Sequence, residues 1–215
     1  MRAMSALPLL GPRAVPALER ALSDPDRQKR HYAAMTLQRM ETYEHPSRAF
    51  LAVCVEALED DHNPPFNRDS ACDYLIQRLP VHADRLLDPL LAEATGSPDP
   101  QQRLMAACIA GWRARADLLP HAAPVLIDAL RDNDIPGDAR AALPALFRFG
   151  DPVRLYLESF VNDPDRQLAD SCKLILLRLD GVEAEGDNKD LIWRLNHVTG
   201  GAIDPTGWGV PDDLP

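Results

Sequence analysis

Apolar residues recur along the chain in short stripes at helical spacing, and the stripes themselves recur. With the turn residues Asp24, Asp60, Ser97, Asp132 and Asp163 as anchors, the spacings are 36, 37, 35 and 31 residues. Six positions before each anchor stand Leu18, Cys54, Leu91, Leu126 and Leu157. Three before stand Ala21, Ala57, Ala94, Ala129 and Phe160, and two before stand Leu22, Leu58, Thr95, Leu130 and Val161. These offsets fall on one face of a helix. A second stripe comes after each anchor. It carries paired small residues, Ala33-Ala34, Ala71-Cys72, Ala106-Ala107 and Ala141-Ala142, with Cys172 in the fifth. Leu37, Leu75, Ala110, Ala145 and Leu176 come one turn later. Small residues in register let helix backbones approach closely, as antiparallel pairs stacked on their neighbours require.

The pattern predicts helix pairs at 13–42, 46–79, 82–115, 118–149 and 152–179. The fold class is therefore all-α, an α-solenoid of about five helix pairs. Pro46 and Pro152 suit first-turn positions, where the missing N–H costs nothing. Pro16, Pro89 and Pro124 recur eight residues before their anchors, deeper in their helices, and should kink them. Asp24-Pro25-Asp26 and Asp163-Pro164-Asp165 should supply N-caps for the second helices. Residues 1–11 read as a partial repeat that either caps the array at 12–181 or presents an apolar edge to another molecule. Residues 182–215 add one more helix, stopped by Gly200-Gly201. An irregular tail comes last, whose Trp208 and Ile203, with Trp193 of that helix, should cover the last pair.

The run Val15-Pro16-Ala17-Leu18, Ala21-Leu22, Asp24-Pro25-Asp26, Arg30, Ala33-Ala34 and Leu37 resembles the HEAT-repeat family, in particular the bacterial HEAT-like or lyase-type group. The resemblance covers roughly residues 12–181. In that family the turn Asp and the Arg six residues later form a ladder between repeats. Asp24 with Arg30 keeps that spacing, and Ser97 with Arg103 keeps it with Ser for Asp. Asp60 with Arg68 has two extra residues, and Asp138 and Ala169 take the Arg position in the last two repeats. The tail's Thr199-Gly200 and Asp204-Pro205-x-x-Trp208 resemble endings of some bacterial HEAT proteins.

Charge narrows the class of partner. The net charge is −10, with eight basic and five acidic residues in 1–55 against two basic and eight acidic in 180–215. That balance argues against binding a phosphate backbone, which relies on Lys and Arg displacing counterions. Cys54, Cys72, Cys108 and Cys172 lie in apolar helical patterns with no CxxC between them, so free thiols in a reducing, cytoplasmic compartment are expected. No stretch has the apolar length of a membrane span.

Catalytic and ligand-binding patterns are missing from the chain. The six histidines form no HExxH and no i, i+4 pair. The paired turn aspartates lack the other ligands of a calcium loop, and no phosphate or nucleophile-elbow motif occurs. No metal, cofactor or catalytic residue is expected, and the function implied is a non-enzymatic scaffold that binds another protein. In HEAT stacks the second helices line the concave face. Two columns should point outward there: Arg39, Gln77, Trp112, Phe147 and Arg178, and Met35, Asp73, Cys108, Leu143 and Leu174. From these, Arg39, Asp73, Gln77, Trp112, Phe147 and Arg178 are the candidate partner-binding residues, aromatic and Arg side chains being common interface anchors, with inter-repeat core as the alternative place for Trp112 and Phe147. Two alternatives stand beside this. One is a HEAT-like alkylpurine DNA glycosylase using Trp112 and Asp73, and the other is an acidic inhibitor or immunity protein for a basic partner.

Overall fold

A computed structural model describes residues 8–40, 43–59, 66–131 and 136–181, with side chains from residue 11 and outside 136–140. Among these residues every regular element is helical. The ten α-helices among the described residues fall two to each predicted pair. First helices are α1 (Val15–Ala21), α3 (Arg48–Glu56), α5 (Asp84–Ala94), α7 (Leu119–Asp128) and α9 (Arg154–Leu157). Second helices are α2 (Arg27–Gln38), α4 (Arg68–Asp73), α6 (Pro100–Trp112), α8 (Pro136–Arg148) and α10 (Arg166–Leu179). Residues 1–7 of the expected N-terminal cap, the anchors Asp60 and Asp132, and the expected C-terminal helix and tail lie outside the described residues.

The same turn chemistry starts three of the second helices. The anchor side chain accepts the N–H two residues on: Asp24 Oδ1 from Asp26 (2.9 Å), Ser97 Oγ from Asp99 (3.2 Å) and Asp163 Oδ1 from Asp165 (2.9 Å). The aspartate so fixed then caps its helix: Asp26 receives Gln28 N–H, Asp99 receives Gln102 N–H, and Asp165 receives Leu168 N–H. Each cap satisfies an N–H that has no partner inside the helix. Asp and Ser are interchangeable as anchors because either oxygen makes the first bond.

The arginine six residues after the anchor works differently from the expected Asp–Arg ladder. Arg30 Nη1 donates to the carbonyls of Asp24 (2.9 Å) and Pro25 (3.1 Å), and Arg103 Nη1 does the same to Ser97 (2.6 Å) and Pro98 (3.0 Å). The turn is held by its backbone, so its side chain is free to differ. The link to the next pair runs through Glu56 of α3, which Arg30 meets in a fork at 3.1 and 2.5 Å. Arg27 adds Glu59 Oε2 at 2.8 Å.

Two expectations about proline are corrected. Ser47, and not Pro46, opens α3: its Oγ accepts Phe50 N–H at 3.1 Å, and Pro46 is buried just before it. Pro16 is the second residue of α1, a tolerated first-turn site, so of the three recurring prolines Pro89 and Pro124 sit within their helices. α5, α7 and α9 are each entered through a single 3-10 turn, at Val81–Ala83, Ala116–Leu118 and Asp151–Val153.

The chain divides into two compact units, Met1–Ile109 and Ala110–Pro215. In the first, α1 packs on α2, α2 on α3, and α3 on both α4 and α5. Its core is built from Leu37, Phe50, Leu51, Leu58, Leu75 and Leu91, all fully buried. Glu19 of α1 is tied to the start of α3: it accepts the Tyr43 hydroxyl and the Ser47 hydroxyl, the latter at 2.7 Å. In the second unit α8 packs on α7 and α10, over Leu126, Leu130, Leu146, Leu157, Leu168 and Ile175. There Gly111 meets the α8 backbone so closely that a Cβ would fall 2.8 Å from the Ala145 carbonyl carbon.

Candidate functional site

The outer column of second-helix residues reaches the surface in both units. In the first unit Arg39 comes directly after the last residue of α2 and is exposed, and Asp73, the last residue of α4, is exposed as well. Gln77 is exposed on a π-helical turn, Tyr74–Arg78, in which Leu79 N–H reaches back to Tyr74 O at 2.8 Å. Such a turn adds a residue to the helix and re-aims the side chains beyond it. Tyr74 faces inward from it, edge-on to Phe50 at 5.0 Å between ring centroids, and burial pushes its hydroxyl up to about 12. Arg78, at the end of the turn, donates to Gln38 O at 3.2 Å, bracing the second helix of the preceding pair.

In the second unit Trp112, Phe147 and Arg178 are all half-buried, at or beside the last residues of α6, α8 and α10. Here two side chains come together. The Arg148 guanidinium lies 4.0 Å above the Trp112 ring, in cation–π geometry. Partial burial lowers the Arg148 pKa from its ordinary value. The pair is set on closely apposed backbones, because the residue before Trp112 is the Gly111 that contacts Ala145.

The inner column departs from expectation. Asp73 is exposed and Met35 half-buried, but Cys108, Leu143 and Leu174 are buried at 4%, 1% and 2% exposure. In these later pairs the position carries an apolar side chain that gains by burial, whereas the Asp73 carboxylate would lose its hydration.

Arg148 was not among the expected site residues, although a signal for it exists. Arg39, Arg113, Arg148 and Arg178 stand at or beside the ends of α2, α6, α8 and α10, and Arg78 closes the π-helical turn that follows α4. An arginine suits the negative end of a helix dipole, which makes this series look ordinary in the sequence alone. Its stacking on Trp112 emerges only once α6 and α8 are packed.

All four cysteines are free, with Cys54, Cys108 and Cys172 buried and Cys72 half-buried. Burial pushes the Cys72 thiol up to about 11 and that of Cys172 to about 12. Among the described residues no group of three or more His, Cys, Asp or Glu is placed to hold a metal ion, and no helix is long and apolar enough to cross a membrane. No protein-family model matches the chain, and no curated protein matches it.

Proposed function

We propose that the chain is a HEAT-like α-solenoid of about five pairs acting as a non-enzymatic scaffold, binding another protein through the outer surface of its second helices. Arg39, Asp73, Gln77, Trp112, Phe147 and Arg178 supply contacts, and Arg148 joins them. The observation that carries this reading is the Trp112–Arg148 stack. A half-exposed indole with a half-buried guanidinium on its face is a preordered pair of two side-chain types enriched at interface hot spots. Ordering them beforehand removes entropy that binding would otherwise cost.

The test uses Trp112→Ala and Arg148→Ala in the full chain. A partner recovered from lysate with wild-type protein is purified and its affinity measured against each variant, with melting curves alongside. The expected result is a loss of about 2 kcal/mol or more in binding for Trp112→Ala with the fold retained. Equal affinity for wild type and both variants sinks the reading. So does base-excision activity on alkylated DNA that Asp73→Asn abolishes with stability intact, an outcome that promotes the glycosylase alternative.

A further inference from the structure

His45 and His82 are 37 residues apart, one repeat period, and each stands just ahead of the first helix of its pair, α3 and α5. Because α3 and α5 pack on one another, this shared position brings the two rings side by side. His45 Nδ1 lies 3.4 Å from His82 Nε2, with ring centroids 5.4 Å apart and planes at 58°. Both residues are exposed. Their backbones are held: Pro46 and the Ser47 cap come directly after His45, and His82 sits inside the 3-10 turn Val81–Ala83, where Ala83 N–H donates to Pro80 O at 3.0 Å.

We propose that His45 and His82 form a two-histidine site for a divalent late transition ion of the zinc class, its remaining coordination positions open to water. Two imidazole nitrogens bound to tetrahedral zinc, each about 2.0–2.1 Å from the metal, are separated by about 3.4 Å. The two rings already have that separation. The rings are tilted at 58° and not stacked, so the contact between them is made by the ring nitrogens and not by the ring faces. Without metal, one of the facing nitrogens donates its N–H to the other. On binding, that proton moves to the second nitrogen of the same ring, which leaves both facing lone pairs free for the ion. Two nitrogen donors favour zinc, nickel or copper over magnesium or calcium, which take oxygen ligands.

The experiment is calorimetric titration of the full chain with Zn2+ in a non-coordinating buffer. Wild-type protein is compared with His45→Ala, His82→Gln and His121→Ala, and circular dichroism checks that helix content is kept. His82→Gln retains a hydrogen-bonding side chain but loses the imidazole. His121 is an exposed histidine of the other unit. The expected result is a saturable component that weakens at least about tenfold in both His45→Ala and His82→Gln and is unchanged in His121→Ala. The proposal is overturned if wild-type protein shows no saturable zinc binding. It is equally overturned if either His45→Ala or His82→Gln leaves the isotherm unaltered.

Discussion

The turn at Asp24 and the turn at Asp163 make the same caps but are braced from different places. In the Met1–Ile109 unit, Arg30 rises from the helix that the turn begins, takes two turn carbonyls, and passes on to Glu56 of the next pair. In the Ala110–Pro215 unit the matching position is Ala169, which is buried. Arg131, at the end of the preceding first helix, comes instead to the turn carboxylates, 3.5 Å from Asp163 and 3.9 Å from Asp165. Gln167 returns the contact by donating to Leu130 O and Arg131 O at 3.0 and 3.1 Å. One unit thus joins its pairs through a forked ion pair and the other through looser polar contacts, with the close backbone approach at Gly111 beside them. What the fold needs is a donor at the turn, and the helix that supplies it can change.

The strongest way to break this contrast is at the backbone contact. Gly111→Ala should destabilise the protein by about 1–3 kcal/mol or more, since the new methyl meets Ala145 backbone that has nowhere to move. Gly96→Ala is its control: a Cβ there meets Glu93 O at an ordinary 3.5 Å, so its urea midpoint should stay near wild type.

Arginine removal comes next. Arg30→Ala should cost about 2 kcal/mol, because it strips charge-assisted bonds from two carbonyls and from the part-buried Glu56. Arg30→Lys should recover little, as a single ammonium cannot reproduce the fork. Arg131→Ala, which removes longer and more exposed contacts, should cost less than about 1 kcal/mol. Equal losses for Arg30→Ala and Arg131→Ala in urea melts would erase the distinction between the units.

Alkaline titration probes a property common to both units. The Cys72 and Cys172 thiols have folded pKa values raised to about 11 and about 12 from an ordinary 9.0, chiefly by desolvation. A raised value means the stability they contribute is whole below pH 9 and is lost as pH climbs towards 11 and 12. Unfolding free energy measured from pH 8 to pH 11 should therefore fall above pH 9, less steeply in Cys72→Ala. Thiol labelling should be slow in native protein and reach four groups on denaturation without reductant.

The smallest expected change is Asp24→Ser. The Asp26 N–H, then Lys29, holds the Asp24 carboxyl below the usual carboxylate range. Its structural task, however, is the one that Ser97 already performs with a hydroxyl. The melting temperature should be nearly unchanged at neutral pH, and Asp24→Ala should lower it.

Pair boundaries were legible because apolar period and turn residues act locally: Leu18 and Leu37 announce their helices from neighbours a few residues away. The Asp-Pro-Asp caps were legible for the same reason. Contacts that depend on which backbones meet were not. Arg30 carries no sequence mark that it will seek carbonyls, and Gly111 looks like one more small residue until Ala145 is opposite it. Outward direction failed for Cys108, Leu143 and Leu174 because a helical column drifts, and a few tens of degrees moves a position from rim to core. Of the candidate site, Trp112 was legible from its type and place, but its partner Arg148 depended on how α6 and α8 pack.

The doubly bonded turn also bears on how the chain first folds. It closes only a few residues, so the entropy lost in joining two helices there is small, and the capping aspartate fixes where the second helix must begin. Helix nucleation, the costly step in isolated peptides, is thereby made local at Asp26, Asp99 and Asp165, independently of one another. Helix formation can therefore start at several points along the chain, each set by contacts within a few residues.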